Sequence, residues 1–255
     1  MHDAQYKGRG VAAKRFYCDE ITWEELRAIC HEMIVTWHVQ SKHVVEFYGY
    51  CVQPPFIFVV MEKCSQGDLL TAIETGQHSM EVRYQFAREC VECVAFINGQ
   101  SFLHCDIKSL NFLVTDEEGA LVCKLADFGE AVKEHRRDDD PTVVGTYEWM
   151  APEVMQGGRY TKAADLYSIA VVVWECLSGQ SPYADEQGGM NGIREKVLKG
   201  ARPNWKGTIL EGDGAVRIAV CKAWSQDPID RGTLEELLAA LRAERDRPRG
   251  AGAGE

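Results

Sequence analysis

The segment Phe102-Leu103-His104-Cys105-Asp106-Ile107-Lys108-Ser109-Leu110-Asn111-Phe112-Leu113-Val114 carries the residues best suited to chemistry. It places an aspartate, a lysine and an asparagine at close spacing between apolar residues. A second aspartate follows in Ala126-Asp127-Phe128-Gly129. Asp106 can accept a proton, and Lys108 sets a cation beside it. Asn111 and Asp127 offer an amide and a carboxylate oxygen to a hard metal ion. The combination suits phosphoryl transfer, in which positioning and charge stabilisation do most of the work.

The elements that must hold these residues fall into two groups. The first is rich in strands. Tyr6-Lys7-Gly8-Arg9-Gly10 supplies a hairpin turn, and Val11 to Phe16 reads as a strand. A helix follows: Thr22 with Glu25 makes a capping box, Ile21 with Leu26 a hydrophobic staple. Leu26, Ile29, Cys30 and Met33 then share one helical face. Val44 to Tyr50 and Phe56 to Met61 read as strands, broken apart by Gln53-Pro54-Pro55. The polar stretch from Glu62 to Asp68 reads as a linker between lobes.

The second group is mainly helical. Val82, Phe86, Cys90, Val94 and Ile97 mark a long amphipathic helix ending near Asn98-Gly99. Phe112 to Val114 and Leu121 to Cys123 form a hairpin turned by Asp116-Glu117-Glu118-Gly119. Asp165 to Leu177 is apolar on most sides and predicts a buried helix. Thr233 and Glu236 predict a capping box on a last helix with Leu234, Leu237, Leu238 and Leu241 on one face. Residues 242–255 are charged, then rich in glycine and alanine, and are expected to be disordered.

Bulk properties limit the partners. Hydrophobic content of 45% and charged content of 26% are those of an ordinary globular protein. A net charge of -11 argues against nucleic acid and acidic membranes as partners. The apolar run from Ile169 to Trp174 is far too short to span a bilayer, and no secretory pattern opens the chain. The ten cysteines are scattered, which favours free thiols in a reducing compartment. Cys90 and Cys93 have C-x-x-C spacing, but no second pair completes a zinc site, so both are expected in a helix core.

Taken together, these motifs resemble the catalytic domain of eukaryotic protein kinases, over residues 6–241. The resemblance implies an α+β, bilobal fold: a small β-rich N-lobe to about residue 62, a hinge over 62–68 and a helical C-lobe over 69–241. It implies ATP and Mg2+ in the cleft. Asp106 then matches the catalytic base and Lys108 the cation on the transferred phosphate. Asn111 and Asp127 match the metal ligands. Lys14, in Val11-Ala12-Ala13-Lys14, matches the lysine of the α- and β-phosphates, with Glu32 as its helix partner. Met61 would guard the back of the adenine pocket. Glu62 and Cys64 would offer it backbone hydrogen bonds, Ala12 and Leu113 would sandwich it, and Asp68 would reach the ribose.

Gly145-Thr146-Tyr147-Glu148-Trp149-Met150-Ala151-Pro152-Glu153 resembles the family's peptide platform, with Glu153 paired to Arg231. Lys108, Thr146 and the Trp149-to-Glu153 wording resemble the tyrosine-kinase-like group, a serine/threonine branch. The resemblance implies a cytosolic serine/threonine kinase acting on protein substrates, with further domains of a longer parent protein left open.

Two departures stand out. Cys105 occupies the place of the family's arginine that holds an activation-loop phosphate. Asp138-Asp139-Asp140, beside Arg136-Arg137, are expected either to order that loop without phosphate or to form a solvated turn. The family's glycine-rich loop precedes the match to Tyr6-Lys7-Gly8, and Met1 to Gln5 contain no glycine. The expectation is a fragment of a longer kinase. The rival is a catalytically impaired pseudokinase that works as a nucleotide-responsive scaffold.

Overall fold

Local turn chemistry starts the small lobe. Lys7 and Gly8 take φ of 50° and 78°, the left-handed pair that closes a two-residue hairpin. It joins β1 (His2–Tyr6) to β2 (Arg9–Tyr17) in antiparallel register, with Ala4 opposite Val11. The structure is a computed structural model and describes residues 1–17, 21–134, 145–206, 208 and 214–245.

α1 (Trp23–His38) begins at the expected capping box: Thr22 Oγ1 accepts the Glu25 N–H at 3.2 Å and Glu25 Oε2 accepts the Thr22 N–H at 2.8 Å. β3 (Phe47–Gln53) and β4 (Phe56–Glu62) complete a four-stranded sheet in the order β1-β2-β4-β3. The expected strand from Val44 is displaced: Val44 forms only an isolated bridge to Leu125, and the strand proper starts at Phe47. His43, Val44 and Val45 are drawn toward Leu125 of the large lobe instead. The Leu125 N–H donates to the His43 carbonyl at 2.8 Å, and the Val45 N–H to the Leu125 carbonyl at 2.9 Å.

The linker is shorter than the polar run suggested. β4 continues through Glu62, and Asp68 already caps α2 (Leu69–Glu74). The large lobe then builds on α3 (Met80–Gly99), β5 (Phe102–Leu103), β6 (Phe112–Glu117), β7 (Ala120–Leu125) and β8 (Val132–Lys133). α4 (Pro152–Met155), α5 (Lys162–Ser178), α6 (Gly189–Leu198), α7 (Ala215–Ala223) and α8 (Leu234–Arg245) follow.

α5 is the buried helix expected: every residue from Ala164 to Leu177 is buried. It supports the core of the large lobe with α3, on which Cys90 and Cys93 are both fully buried and free. The Cys90 and Cys123 sulfurs touch at 3.4 Å, and Cys93 Sγ donates to the His43 carbonyl.

Two end-of-chain expectations change. Thr233 Oγ1 does accept the Glu236 N–H at 3.3 Å, but the Glu236 carboxylate turns to Lys222 Nζ at 2.6 Å, so the box is half made. A nearby cation competes better than a backbone N–H for that carboxylate. The last helix also runs on to Arg245, past the expected boundary at 242. Arg242 helps extend it, donating to Glu92 Oε1 at 3.0 Å. The rest of the expected tail lies outside the described residues, as do Arg136, Arg137 and Asp138 to Asp140.

Candidate active site

Three buried groups fix the catalytic segment before any catalytic side chain is placed. The first is Asp165, in the first turn of α5 and fully buried. It accepts the backbone N–H groups of His104 at 3.2 Å and Cys105 at 3.4 Å, Asn98 Nδ2 at 2.7 Å and the Tyr160 hydroxyl at 2.9 Å. Burial pushes its carboxyl pKa up, and those donors pull the other way. The second is His104, whose pKa burial pushes down. The neutral ring accepts the Asp106 N–H at Nδ1 (3.3 Å) and faces the Ala126 carbonyl with Nε2 (3.3 Å). Its edge meets Phe128 at 5.0 Å, so one imidazole spans both acidic motifs.

The third is Glu175, near the other end of α5. Its carboxylate accepts Ser109 Oγ at 2.8 Å and Trp149 Nε1 at 2.7 Å. Burial pushes its pKa up to about 8. One buried side chain therefore joins the catalytic segment to the platform at Trp149. The backbone between takes strained turns: Cys105 and Asp127 hold φ of 66° and 62°, rare for residues with a Cβ.

Asp106 emerges from this frame with its carboxylate surrounded by donors. Oδ2 accepts Lys108 Nζ at 2.6 Å and Asn111 Nδ2 at 3.0 Å. Oδ1 accepts the Thr146 hydroxyl at 3.3 Å, and Lys108 Nζ also donates to Thr146 Oγ1 at 3.0 Å. The Asn111 amide nitrogen further donates to the Asp106 carbonyl at 2.8 Å. Both its N–H groups are thereby used, which turns Oδ1 away as a free acceptor. The Ala126 N–H donates to the Asn111 carbonyl at 2.8 Å, so backbone pairing places Asp127 beside Asn111.

From the small lobe, Lys14 Nζ reaches both carboxylate oxygens of Glu32 at 2.8 Å. A cavity of about 240 Å³ opens between the lobes, lined by Lys14, Glu32, Met61, Asn111, Leu113 and Asp127 among others. Six residues singled out in the sequence thus meet in one cleft. Asp106 and Lys108 adjoin it through Asn111. Two hard oxygen donors and a lysine facing one cavity are a donor set that could hold a magnesium ion and a phosphate.

Four of the expected nucleotide contacts do not line that cavity. Ala12 lies opposite Met61 in the β2–β4 ladder, on the same face of β2 as Lys14. The Glu62 side chain bonds Lys124 Nζ at 2.7 Å and the Glu46 N–H at 3.1 Å, so it braces the linker. Burial pushes the Cys64 thiol up to about 12. Asp68, expected at the ribose, turns to its own helix: its oxygens accept the Thr71 N–H at 2.8 Å and the Thr71 hydroxyl at 3.1 Å. An N-cap carboxylate is stabilised by the unpaired N–H groups of the first turn, which explains the choice.

Sequence reading missed Asp165, Glu175 and His31. The His31 ring meets the Ala131 carbonyl through Nε2 at 2.6 Å, tying α1 to the strand that follows Asp127. The expected Glu153–Arg231 pair is present and bidentate, at 2.7 and 2.6 Å, with the arginine side chain fully buried.

Comparison with known proteins agrees with this geometry. The family model described as protein kinase domain matches residues 3–240. Serine/threonine-protein kinase STY17 of Arabidopsis thaliana is 29% identical over 245 residues, 92% of this chain and 40% of its own length. Serine/threonine/tyrosine-protein kinase HT1 of the same plant is 28% identical over 247 residues, 92% of this chain and 60% of its own. Mitogen-activated protein kinase kinase kinase 7 of Bos taurus is 26% identical over 251 residues, 93% of this chain and 40% of its own. This chain therefore spans 40–60% of the length of these relatives. It belongs to the protein kinase domain family.

Proposed function

We propose that this chain is the catalytic domain of a serine/threonine protein kinase of the tyrosine-kinase-like group, moving the γ-phosphate of ATP to a protein hydroxyl. One observation carries the reading: Asn111, Asp127 and the Glu32-held Lys14 line one cleft, and the Asn111 amide bonds the Asp106 carboxylate beside it.

The residues divide the work. Asp106 orients the attacking hydroxyl and takes its proton as the new oxygen–phosphorus bond forms and the bond to the nucleotide diphosphate breaks. Such a base contributes about 10²–10⁴-fold. Lys108 sits between Asp106 and Thr146 and can follow the negative charge of the group in transfer. Lys14, pinned by Glu32, holds the α- and β-phosphates. Asn111 and Asp127 would hold Mg2+, which when bound would neutralise phosphate charge. Thr146, bonded to both Asp106 and Lys108, supports serine or threonine as acceptor. Ten scattered cysteines in a chain of this length support a reducing compartment such as the cytosol.

A second reading, a nucleotide-responsive scaffold with poor catalysis, keeps the same cleft and differs in whether Asp106 takes the proton of an acceptor hydroxyl. Transfer of radiolabel from γ-labelled ATP to a generic protein, followed by phosphoamino-acid analysis, separates the two. Labelled serine or threonine, in this chain or in one extended upstream, supports the kinase. Mg-ATP binding without transfer in either form supports the scaffold.

A further inference from the structure

The outer face of α1 carries large apolar side chains in the open. Five residues follow one another there at intervals of four, three, four and three: Trp23, Arg27, Cys30, Ile34 and Trp37. That spacing is a heptad seam. Every one of the five is exposed, and the large apolar ones strongly so: Trp23 82%, Ile34 57% and Trp37 65%. The inner face of the helix is already used, with Ile29 and Val35 buried and Glu32 on Lys14. A tryptophan at each end of an outward seam has no function in the site described above.

We propose that this face is the contact between two copies of this chain, packed as an antiparallel helix pair about a two-fold axis at Cys30. The seam is self-complementary, as such a contact requires. Trp23 and Trp37 each stand seven residues from Cys30. An antiparallel partner therefore sets each Trp23 against the Trp37 of the other copy and each Arg27 stem beside the other Ile34. Charge agrees: Glu24 and Glu25 open the helix and His38 closes it, so acidic first turns meet basic last turns.

The area is small but sufficient for a weak pair. At about 200 Å² per aromatic side chain, the two tryptophans leave roughly 300 Å² exposed, and Ile34 adds about 100 Å². Doubled, and with Arg27 and Cys30 included, the contact reaches about 1,000 Å², the lower bound for a specific interface. A contact of that size fits a weak, concentration-dependent pair. The proposal does not rest on the activity, but it bears on it: pairing would brace α1 in the position that keeps Glu32 on Lys14.

Sedimentation equilibrium on the whole chain between about 1 and 200 µM tests the association. The mass should rise from 28.6 kDa toward twice that value. Ile34→Glu and Trp37→Glu, both at exposed positions, should hold it at the monomer while thermal unfolding stays unchanged. Cys30 provides an independent readout on otherwise intact protein. Copper(II) phenanthroline should take two electrons from two Cys30 thiols, releasing two protons and forming one intermolecular disulfide. Facing cysteines in this packing come within disulfide reach. The cross-linked band should vanish in Cys30→Ser and persist in Cys51→Ser and Cys221→Ser, the other exposed cysteines among the described residues. A monomer at every concentration, a dimer that survives Ile34→Glu, or a cross-link that survives Cys30→Ser would each overturn the proposal. None of these readouts measures phosphoryl transfer, so failure here leaves the kinase assignment intact.

Discussion

Glu175 offers the most demanding test of how the catalytic segment is held. Replacing it with alanine leaves Ser109 Oγ and Trp149 Nε1 buried without their acceptor. Each orphaned group costs about 1–3 kcal/mol, so Glu175→Ala should lose roughly 2–6 kcal/mol. At about 2–4 °C per kcal/mol, the melting temperature should fall by more than about 5 °C. Glu175→Gln keeps one acceptor oxygen and carries no titratable proton, which makes pH the discriminating variable. The folded pKa of Glu175 is raised by burial from 4.5 to about 8. A group raised in the folded state contributes its full share below the unfolded value and loses it as pH rises through the folded one. Wild type should therefore lose stability relative to Glu175→Gln between about pH 4.5 and 8, by at most roughly 5 kcal/mol at 1.36 kcal/mol per pH unit. Urea unfolding of both proteins at pH 5, 6, 7 and 8 measures that difference with other titrating groups cancelled. A gap that stays constant, or widens in favour of wild type toward pH 8, would refute the reasoning.

Other consequences follow from the same contacts. Glu153→Gln should cost about 3–5 kcal/mol of unfolding free energy, because it strands a fully buried guanidinium; calorimetry reads it, and a loss under 1 kcal/mol would contradict the pairing. Lys14→Met should barely move stability, since the Lys14–Glu32 pair is partly exposed and worth about 0–1 kcal/mol. The same change should weaken Mg-ATP binding at least tenfold by titration calorimetry. Cys105 lies buried beneath Asp165 and offers no cation to a loop phosphate. Phosphatase treatment should therefore leave the transfer rate within about twofold, well inside the effect of a lost charge-assisted bond; abolished activity would show that a loop phosphate is needed.

The site was legible where its chemistry is local. Asp106, Lys108 and Asn111 lie within six residues, so their types and spacing already carried the juxtaposition that the hydrogen bonds display. Glu32 required the second element, yet the capping box at Thr22 and Glu25 fixed where its helix starts. What stayed hidden depends on residues far apart in the chain. Ser109 and Trp149 reach Glu175 across 66 and 26 residues, and His31 meets Ala131 across 100. A usable signal existed for the carboxylates: Asp165 and Glu175 sit in a helix apolar on nearly every side, where a charge persists only with partners. His31 had no such signal, being one polar residue on a mostly exposed helix. Errors at element ends had local causes. Glu236 turned to Lys222, and Val44 was taken by Leu125.

The central claim is that Asp106 does the proton chemistry in a cleft built by other residues. Asp106→Asn keeps an acceptor for Lys108 and retains the shape of the site. Single-turnover transfer from γ-labelled ATP, paired with titration calorimetry of Mg-ATP, isolates its role. A transfer rate down by about 10²–10⁴-fold with nucleotide affinity unchanged is the expected result. Undiminished transfer in Asp106→Asn would contradict the account.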